Sequence, residues 1–180
     1  MSRLPIIEPD TAQGSAAELL AAVQKALGVT PNMTKVMANS PAVLKAYLEF
    51  SGALGGGSLP IGIREAIALV VAQENSCDYC LSAHTYIATN LAGVSESEAH
   101  RARHAESADA KTDAVLKLAA ALVRTHGGVE EEDIKAAREA GLSAAEITEV
   151  IGNVSLNVFT NYLNKAADVA IDWPVVSHLS

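Results

Sequence analysis

Residues 64–84 read REAIALVVAQENSCDYCLSAH, from Arg64 to His84. The part from Ala66 to Ala72 is the longest uninterrupted apolar run, and it would be apolar on every side of a helix. A helix with this pattern belongs in the centre of a core. The second half holds both cysteines of the chain, followed by a histidine. We therefore expect a central buried helix that leads directly into a second helix with reactive side chains.

Signals for helix starts and ends recur on both sides of this stretch. Prolines or capping serines precede the apolar-periodic segments and glycines follow many of them. The pattern predicts helices at about 15–27, where Ser15 begins a capping box, and at about 41–54, 60–74, 77–91, 111–126, 130–140 and 144–168, with short helices after Pro31 and Ser95. No segment alternates apolar and polar residues for long enough to indicate a strand. The predicted fold class is all-α, with about eight or nine helices and no sheet.

The composition is typical of a globular protein with a helical core. Of the 180 residues, 49% are hydrophobic, 19% are charged and only 4% are aromatic. A core of alanine, leucine, valine and isoleucine suits close helix packing. The length predicts a single domain over residues 1–180, with an irregular N-terminal arm at about 1–14.

The charge and the hydropathy pattern exclude several classes of partner. The formal net charge is −8 and no basic stripe is present, which argues against nucleic-acid binding. The apolar run at 66–72 is too short to cross a membrane, and the first residues do not resemble a signal peptide. We expect a soluble cytoplasmic protein. In a reducing cytosol, a Cys-x-x-Cys is more often redox-active or metal-binding than structural.

The reactive side chains have helical spacing. Cys77, Cys80 and His84 stand at i, i+3 and i+7, so one helix face would present all three. Cys77 is expected in the first turn, where the positive end of the helix dipole favours a thiolate. The spacing also allows the two thiols to close a disulfide, and His84 could move protons to or from a sulfur. Glu65 would come near the thiols if the two helices form a hairpin, while Arg64 could pair with it.

Plainer interpretations stay open. Both cysteines could be small core residues, or they could hold zinc with His84 and a carboxylate, although no second Cys or His pair is evident. His100 and His104 have metal-binding i, i+4 spacing, but their polar helix predicts that both are solvated. Tyr162 and Trp173 are expected to be packing residues. The segment 55–58, Gly-Gly-Gly-Ser, is interpreted as a flexible connector, or else as a loop that lets another group approach the backbone.

The constellation resembles the signature of a known family. Arg64-Glu65-Ala66, followed by Cys77-Asp78-Tyr79-Cys80-Leu81-Ser82-Ala83-His84, is similar to the alkylhydroperoxidase D-like family of the carboxymuconolactone decarboxylase superfamily. The Leu-Pro-x-x-x-Arg-Glu segment at 59–65 and the asparagines of the last helix (Asn153, Asn157, Asn161 and Asn164) resemble its peroxidase-related branch. The resemblance implies an all-helical fold that assembles into trimers or hexamers and reduces hydroperoxides without heme or metal.

The resemblance also implies roles for the site residues. Cys80 would attack the peroxide and become a sulfenic acid, and Cys77 would resolve it to a redox-active disulfide. Glu65 and His84 would relay the proton, and a dithiol, such as lipoamide on a partner protein, would reduce the disulfide. The assignment of attack to Cys80 conflicts with the helix-dipole argument, which favours Cys77.

The signature departs from the family in one residue, because the best-known members have a histidine where this chain has Tyr79. The decarboxylase branch, in contrast, lacks the cysteine pair. The function predicted is a cysteine-based hydroperoxide reductase, an antioxidant peroxidase. The alternatives are a dithiol–disulfide oxidoreductase or redox sensor with weak peroxidase activity, and a structural zinc-binding protein.

Overall fold

A computed structural model describes residues 2–179, which contain nine α-helices and no strand. The helices are α1 (Gly14–Leu27), α2 (Asn32–Met37), α3 (Pro41–Gly55), α4 (Ile61–Glu74), α5 (Asp78–Asn90), α6 (Glu96–Ala102), α7 (Ala110–Arg124), α8 (Glu131–Glu139) and α9 (Ala144–Ala167). The all-α prediction is therefore confirmed, and the expected helix bounds are correct to within two residues. The capping box at Ser15 is wrong, because α1 begins at Gly14 after Gln13, whose side chain makes no cap hydrogen bond.

Helix α4 lies at the centre of the main core. Every residue from Ala66 to Ala72 is buried, as the all-round apolar pattern predicts. The helix packs mainly against α5, α7 and α9, and less extensively against α6. Full burial of one large aliphatic side chain such as Ile67 or Leu69 contributes about 1.5–3 kcal/mol. This packing makes α4 a rigid support for the side chains at its N-terminal end.

A tight turn joins α4 to α5 and makes them an antiparallel pair. Ser76 adopts a left-handed conformation with φ of 50°, and the amide of Cys77 donates to the carbonyl of Ala72 at 2.9 Å. Cys77 is the N-cap residue of α5. The short turn leaves the two helices in contact along their length, so side chains of α4 meet side chains of α5.

The glycine-rich segment before α4 is not a flexible connector. The carboxylate of Glu149, on α9, accepts hydrogen bonds from the amides of Ser58 at 2.8 Å and Leu59 at 2.9 Å. These backbone hydrogen bonds hold the pKa of Glu149 below its usual range. A Cβ atom on Gly57 would lie 2.6 Å from the Glu149 carboxylate. The connector interpretation is therefore wrong, and the alternative, a close approach to the backbone, is correct.

Both ends of the chain pack onto the helices. Residues 2–13 form no helix, and the amide of Arg3 donates to the carbonyl of Ala167 at 2.6 Å. The segment after α9 returns across α5, where the amide of Val176 donates to Ser82 Oγ at 2.9 Å. Within residues 2–179, none of the helices has the length and hydropathy of a membrane span.

Of the two aromatic residues that were expected to be packing residues, one packs against the core and the other is exposed. Trp173 packs beside the Tyr86 ring, with 5.2 Å between the ring centroids, and it contacts the main core. Tyr162 is 57% exposed on the outer face of α9, so its assignment as a packing residue is wrong for the isolated chain.

Candidate active site

The two cysteines lie at the start of α5 at disulfide-bonding distance. Their Cα atoms are 5.3 Å apart, and each residue is 1% exposed. The amide of Cys80 donates to Cys77 Sγ at 3.3 Å, which is the cap of the helix. Cys77 was expected in the first turn, but it is the N-cap, and Cys80 is the thiol within the first turn. The dipole argument that favoured Cys77 therefore also applies to Cys80.

Glu65 and His84 form a hydrogen-bonded pair between α4 and α5. Nδ1 of His84 lies 2.8 Å from Oε2 of Glu65, and the side chains are 23% and 14% exposed. The antiparallel packing of the two helices produces this contact across 19 residues of sequence. When Nδ1–H donates to the carboxylate, Nε2 of the neutral imidazole is left to accept a proton. Arg64 makes no salt bridge with Glu65 in the described chain, contrary to the pairing considered from sequence.

A cavity of about 380 Å³ brings three of the four predicted residues together. Its α4 wall consists of Ile61, Arg64, Glu65 and Ala68, and its α5 wall includes Cys80, Ala83, His84 and Ile87. The side chains on each wall recur every three or four residues, which is the spacing of one helix face. Cys77 does not line the cavity. A small molecule in the cavity would therefore meet the sulfur of Cys80 and the imidazole of His84, but not Cys77.

Tyr47 is a polar residue of this cavity that the sequence did not identify as a site residue. It is half-buried on α3, and burial, together with the negative charge of Glu65, raises its pKa to about 12. Its phenol therefore stays neutral at physiological pH and can donate a hydrogen bond. The two hydroxyls of Tyr47 and Ser51, four residues apart on an otherwise apolar face of α3, are the signal that could have identified it.

Asn164 is a second residue whose role the sequence did not indicate. Its Nδ2 lies 3.3 Å from Cys80 Sγ and also 3.3 Å from Met33 Sδ. Its Oδ1 is buried and has no hydrogen-bond partner among the described residues. The available signal was the row of four asparagines on α9, all of which are buried. An amide donor beside a sulfur stabilises the negative charge of a thiolate.

Tyr79, between the cysteines, anchors the site rather than acting in it. Its hydroxyl donates to Asp172 Oδ2 at 2.7 Å and accepts from the amide of Met33 at 3.2 Å. Burial, followed by the hydrogen bond to Asp172, raises the pKa of Tyr79 above its ordinary value. The residue that departs from the family signature thus ties α2 and the C-terminal segment to α5.

The pair of His100, on α6, and His104, just after the end of α6, does not line this cavity. His100 and His104 are both exposed, with their rings 5.1 Å apart, which agrees with the solvated interpretation. Within residues 2–179, no three His, Cys, Asp or Glu side chains form a group that could hold a metal ion. The zinc alternative therefore has no ligand set in the described part of the chain.

Comparison with known proteins gives one family and several similar structures. The model of the carboxymuconolactone decarboxylase family matches residues 41–125. A peroxidase-related protein from Ralstonia eutropha JMP134, described as an alkylhydroperoxidase AhpD core, is 22% identical with a TM-score of 0.85, over 95% of this chain and 92% of that one. A peroxidase-related protein from Silicibacter sp. TM1040 is 26% identical with a TM-score of 0.80, over 93% and 88%.

A third structure has the same fold and a different activity in its name. It is a cysteine-to-alanine variant of the debrominase Bmp8 in complex with 2,3,4-tribromopyrrole, 21% identical with a TM-score of 0.78, over 96% of this chain and 94% of that one. No curated protein matches the chain. The structural similarities confirm the alkylhydroperoxidase D-like fold, in agreement with the resemblance noted from the sequence.

Proposed function

Residues 41–125 belong to the carboxymuconolactone decarboxylase family, and from this premise we propose that the chain is a cysteine-based hydroperoxide reductase with an antioxidant role. The observation that carries the proposal is the Glu65–His84 hydrogen bond at 2.8 Å, beside Cys80 in one cavity. Such a pair can take the proton from a thiol and return it to a leaving oxygen. The antioxidant role follows from the removal of peroxides.

In the first step, His84 accepts the proton of the Cys80 thiol while Glu65 orients the imidazole. The thiolate attacks the terminal oxygen of the hydroperoxide, so an S–O bond forms and the O–O bond breaks. The leaving alkoxide takes the proton from His84 and departs as an alcohol. Cys80 is oxidised to a sulfenic acid, and the peroxide is reduced by two electrons. Asn164 Nδ2, 3.3 Å from the sulfur, stabilises the thiolate.

In the second step, the thiol of Cys77 attacks the sulfenic sulfur of Cys80. The S–S bond forms and the oxygen leaves as water, which takes the remaining thiol proton. The 5.3 Å between the two Cα atoms lies within the range in which a disulfide closes without backbone movement. No heme or metal takes part in either step.

A dithiol completes the cycle by exchange, in which it becomes a disulfide and both cysteines become thiols. Each cysteine is 1% exposed, so a flat protein surface does not reach the sulfurs directly. A slender dithiol that enters the cavity suits this burial, and a lipoamide arm on a partner protein is the reductant we propose. A cytoplasmic location would keep such a dithiol reduced.

The decisive experiment mixes the reduced protein with one equivalent of cumene hydroperoxide. We expect loss of two thiols per chain and formation of one equivalent of the alcohol, and multiple turnovers when dihydrolipoamide is present. Cys80→Ser should abolish alcohol formation. Equal alcohol formation by Cys80→Ser and by the wild type would contradict the proposal. Reversible disulfide formation without turnover would favour the redox-sensor alternative.

Thiol-dependent dehalogenation is a second candidate, supported by the fold shared with a debrominase that binds 2,3,4-tribromopyrrole. In that reaction the dithiol supplies two electrons and two protons: the C–Br bond breaks, one proton forms the C–H bond, and bromide, the second proton and a disulfide are released. Bromide release from 2,3,4-tribromopyrrole, at a rate above that of cumene hydroperoxide reduction, would favour this function over the first.

We also propose that the protein is a homo-oligomer, a trimer or hexamer. Three large apolar side chains on α9 are exposed in the single chain: Ile151, Phe159 and Tyr162. Positions 151 and 162 lie on nearly the same side of a helix, and an exposed apolar face of this kind is typical of an interface. Sedimentation equilibrium should give a multiple of the monomer mass, and a monomer at all concentrations would contradict this proposal.

A further inference from the structure

Arg64 is a cation without an anionic partner among residues 2–179. None of the salt bridges there involves it, and its Nε atom is buried without a hydrogen-bond partner. The nearest carboxylate in sequence, Glu65, is bonded to His84 instead. In contrast, Arg103 and Arg124 are both held by side-chain hydrogen bonds. A buried donor left without a partner is costly, so a ligand is expected to satisfy it.

The surrounding backbone leaves room for the Arg64 guanidinium. A Cβ atom on Gly55 would lie 3.2 Å from Nη1 of Arg64, which is closer than ordinary van der Waals contact. Gly55 is the last residue of α3, and the negative end of a helix dipole attracts a cation. This attraction favours the position of the guanidinium at the cavity wall, where its Nε atom has no hydrogen-bond partner among residues 2–179.

Arg64 lies on the same α4 wall of the cavity as Glu65, and Cys80 lies on its α5 wall. Cys80 and His84 are one turn apart on α5, and Glu65 is bonded to His84. Apolar side chains such as Ala83 and Ile87 line the cavity in this region. No other lysine or arginine lines the described cavity.

We propose that Arg64 binds a carboxylate of the substrate, so that the cavity selects organic hydroperoxides with an apolar body and one anionic group. This inference rests on the proposed peroxidase function and names its substrate class. A guanidinium offers two parallel N–H groups to a carboxylate, and such charge-assisted bonds are strong in apolar surroundings. The pairing of Glu65 with His84 reduces the repulsion that an unpaired Glu65 carboxylate would exert on the ligand.

The kinetic test compares cumene hydroperoxide that carries a para carboxylate with its methyl ester. For the wild type we expect kcat/KM to be about tenfold or more higher for the acid, and this preference should fall as NaCl is added. In Arg64→Gln, kcat/KM for the acid should be close to kcat/KM for the ester. Arg64→Lys should keep part of the preference for the acid. Arg101→Gln, on exposed α6, is the control. Equal kcat/KM for acid and ester in the wild type, or an unchanged ratio in Arg64→Gln, would overturn the inference.

A binding test separates this inference from the proposed function. In the Cys80→Ser variant, titration calorimetry with 4-isopropylbenzoate should detect binding about tenfold tighter than with its methyl ester, and the additional substitution Arg64→Gln should remove the difference. If this difference appears but no hydroperoxide is reduced by the wild type, the subsite stands and the peroxidase proposal fails. If hydroperoxides are reduced without preference and the two ligands bind equally, the peroxidase proposal stands and the subsite fails.

Discussion

The amide nitrogen of Asn164 lies 3.3 Å from the sulfur of Cys80, although 84 residues separate the two in sequence. The contact joins the last long helix to the first turn of α5, and both residues line the cavity. It gives Cys80 Sγ a side-chain donor, whereas Cys77 Sγ accepts only from the backbone amide of Cys80 among the described residues. The environment of Cys80 therefore favours a thiolate there, in agreement with its proposed attack on the peroxide.

Replacing Asn164 should make the Cys80 thiol less reactive. In a Cys77→Ser background, Asn164→Leu removes the donor while nearly keeping the volume, and we expect alkylation of Cys80 by iodoacetamide at pH 7 to slow about tenfold. Asn157→Leu is the matched control, because the Asn157 amide donates to the carbonyl of Asn153 and not to a sulfur. Equal alkylation rates in the two leucine variants would show that the Asn164 contact does not activate the thiol.

The Glu65–His84 pair should set the rate of peroxide reduction. Glu65→Gln removes the charge that orients and stabilises the protonated imidazole, and we expect kcat/KM to fall by about 10–100-fold, near the lower end of general acid–base effects. The measurement is the rate of thiol oxidation by hydroperoxide in stopped flow, for the wild type and Glu65→Gln, between pH 5 and pH 9. Glu74→Gln is the control, since Glu74 lies on the same helix but pairs with Arg124. A pH profile identical to that of the wild type would rule out the relay.

Removing the resolving cysteine should trap the oxidised intermediate. In Cys77→Ser, one equivalent of hydroperoxide is expected to convert Cys80 to a sulfenic acid that persists, because no thiol lies within reach to close a disulfide. The sulfenic acid is detected by labelling with a cyclic 1,3-dione, followed by mass spectrometry of the peptide that contains Cys80. Cys80→Ser serves as the comparison and should show no label on Cys77. A label on Cys77 in that variant would reverse the assigned roles.

Adding a side chain at Gly57, which lies beside the Glu149 carboxylate, should destabilise the fold. Gly57→Ala places a Cβ 2.6 Å from the Glu149 carboxylate and displaces it from two backbone amides, so we expect a loss of about 1–3 kcal/mol in the free energy of unfolding. Gly52→Ala is the opposite case, because a Cβ there meets no atom within 4 Å and the residue is inside α3. It should be stabilising by about 0.5–1 kcal/mol. Urea unfolding of both variants tests the contrast.

Acid should weaken the fold partly through Glu146. The hydrogen bond from Lys111, followed by that from the Ser143 amide, lowers the pKa of Glu146 to about 2, from an ordinary value of 4.5. Because the folded-state pKa lies below the unfolded one, the stabilisation is fully present above pH 4.5 and is lost as the pH falls towards 2. Glu146→Gln should therefore flatten the dependence of unfolding free energy on pH in this window. Glu139→Gln, on exposed α8, should leave the dependence as steep as in the wild type.

Much of the fold and part of the site were predictable from local pattern. The apolar period, the prolines and the capping residues predicted about eight or nine helices, because each of these signals depends only on residues close together in sequence. The shared face of Cys80 and His84 follows from the helical period alone. The contact of Glu65 with His84 required only one further step, since a three-residue turn forces adjacent helices to pack side by side.

The remaining site residues depend on how distant helices meet. Within one helix, the period fixes the direction of each side chain, so the sequence by itself determined the helices and the face that carries Cys80 and His84. Which faces of α3, α4 and α9 meet depends on the packing of the whole core, and only the tertiary structure placed Tyr47 and Asn164 in the cavity and Glu149 against Gly57. The same packing left Arg64 without a partner at the cavity wall. No local pattern encodes these contacts, because Asn164 lies 84 positions from Cys80 in sequence and Glu149 lies 92 positions from Gly57.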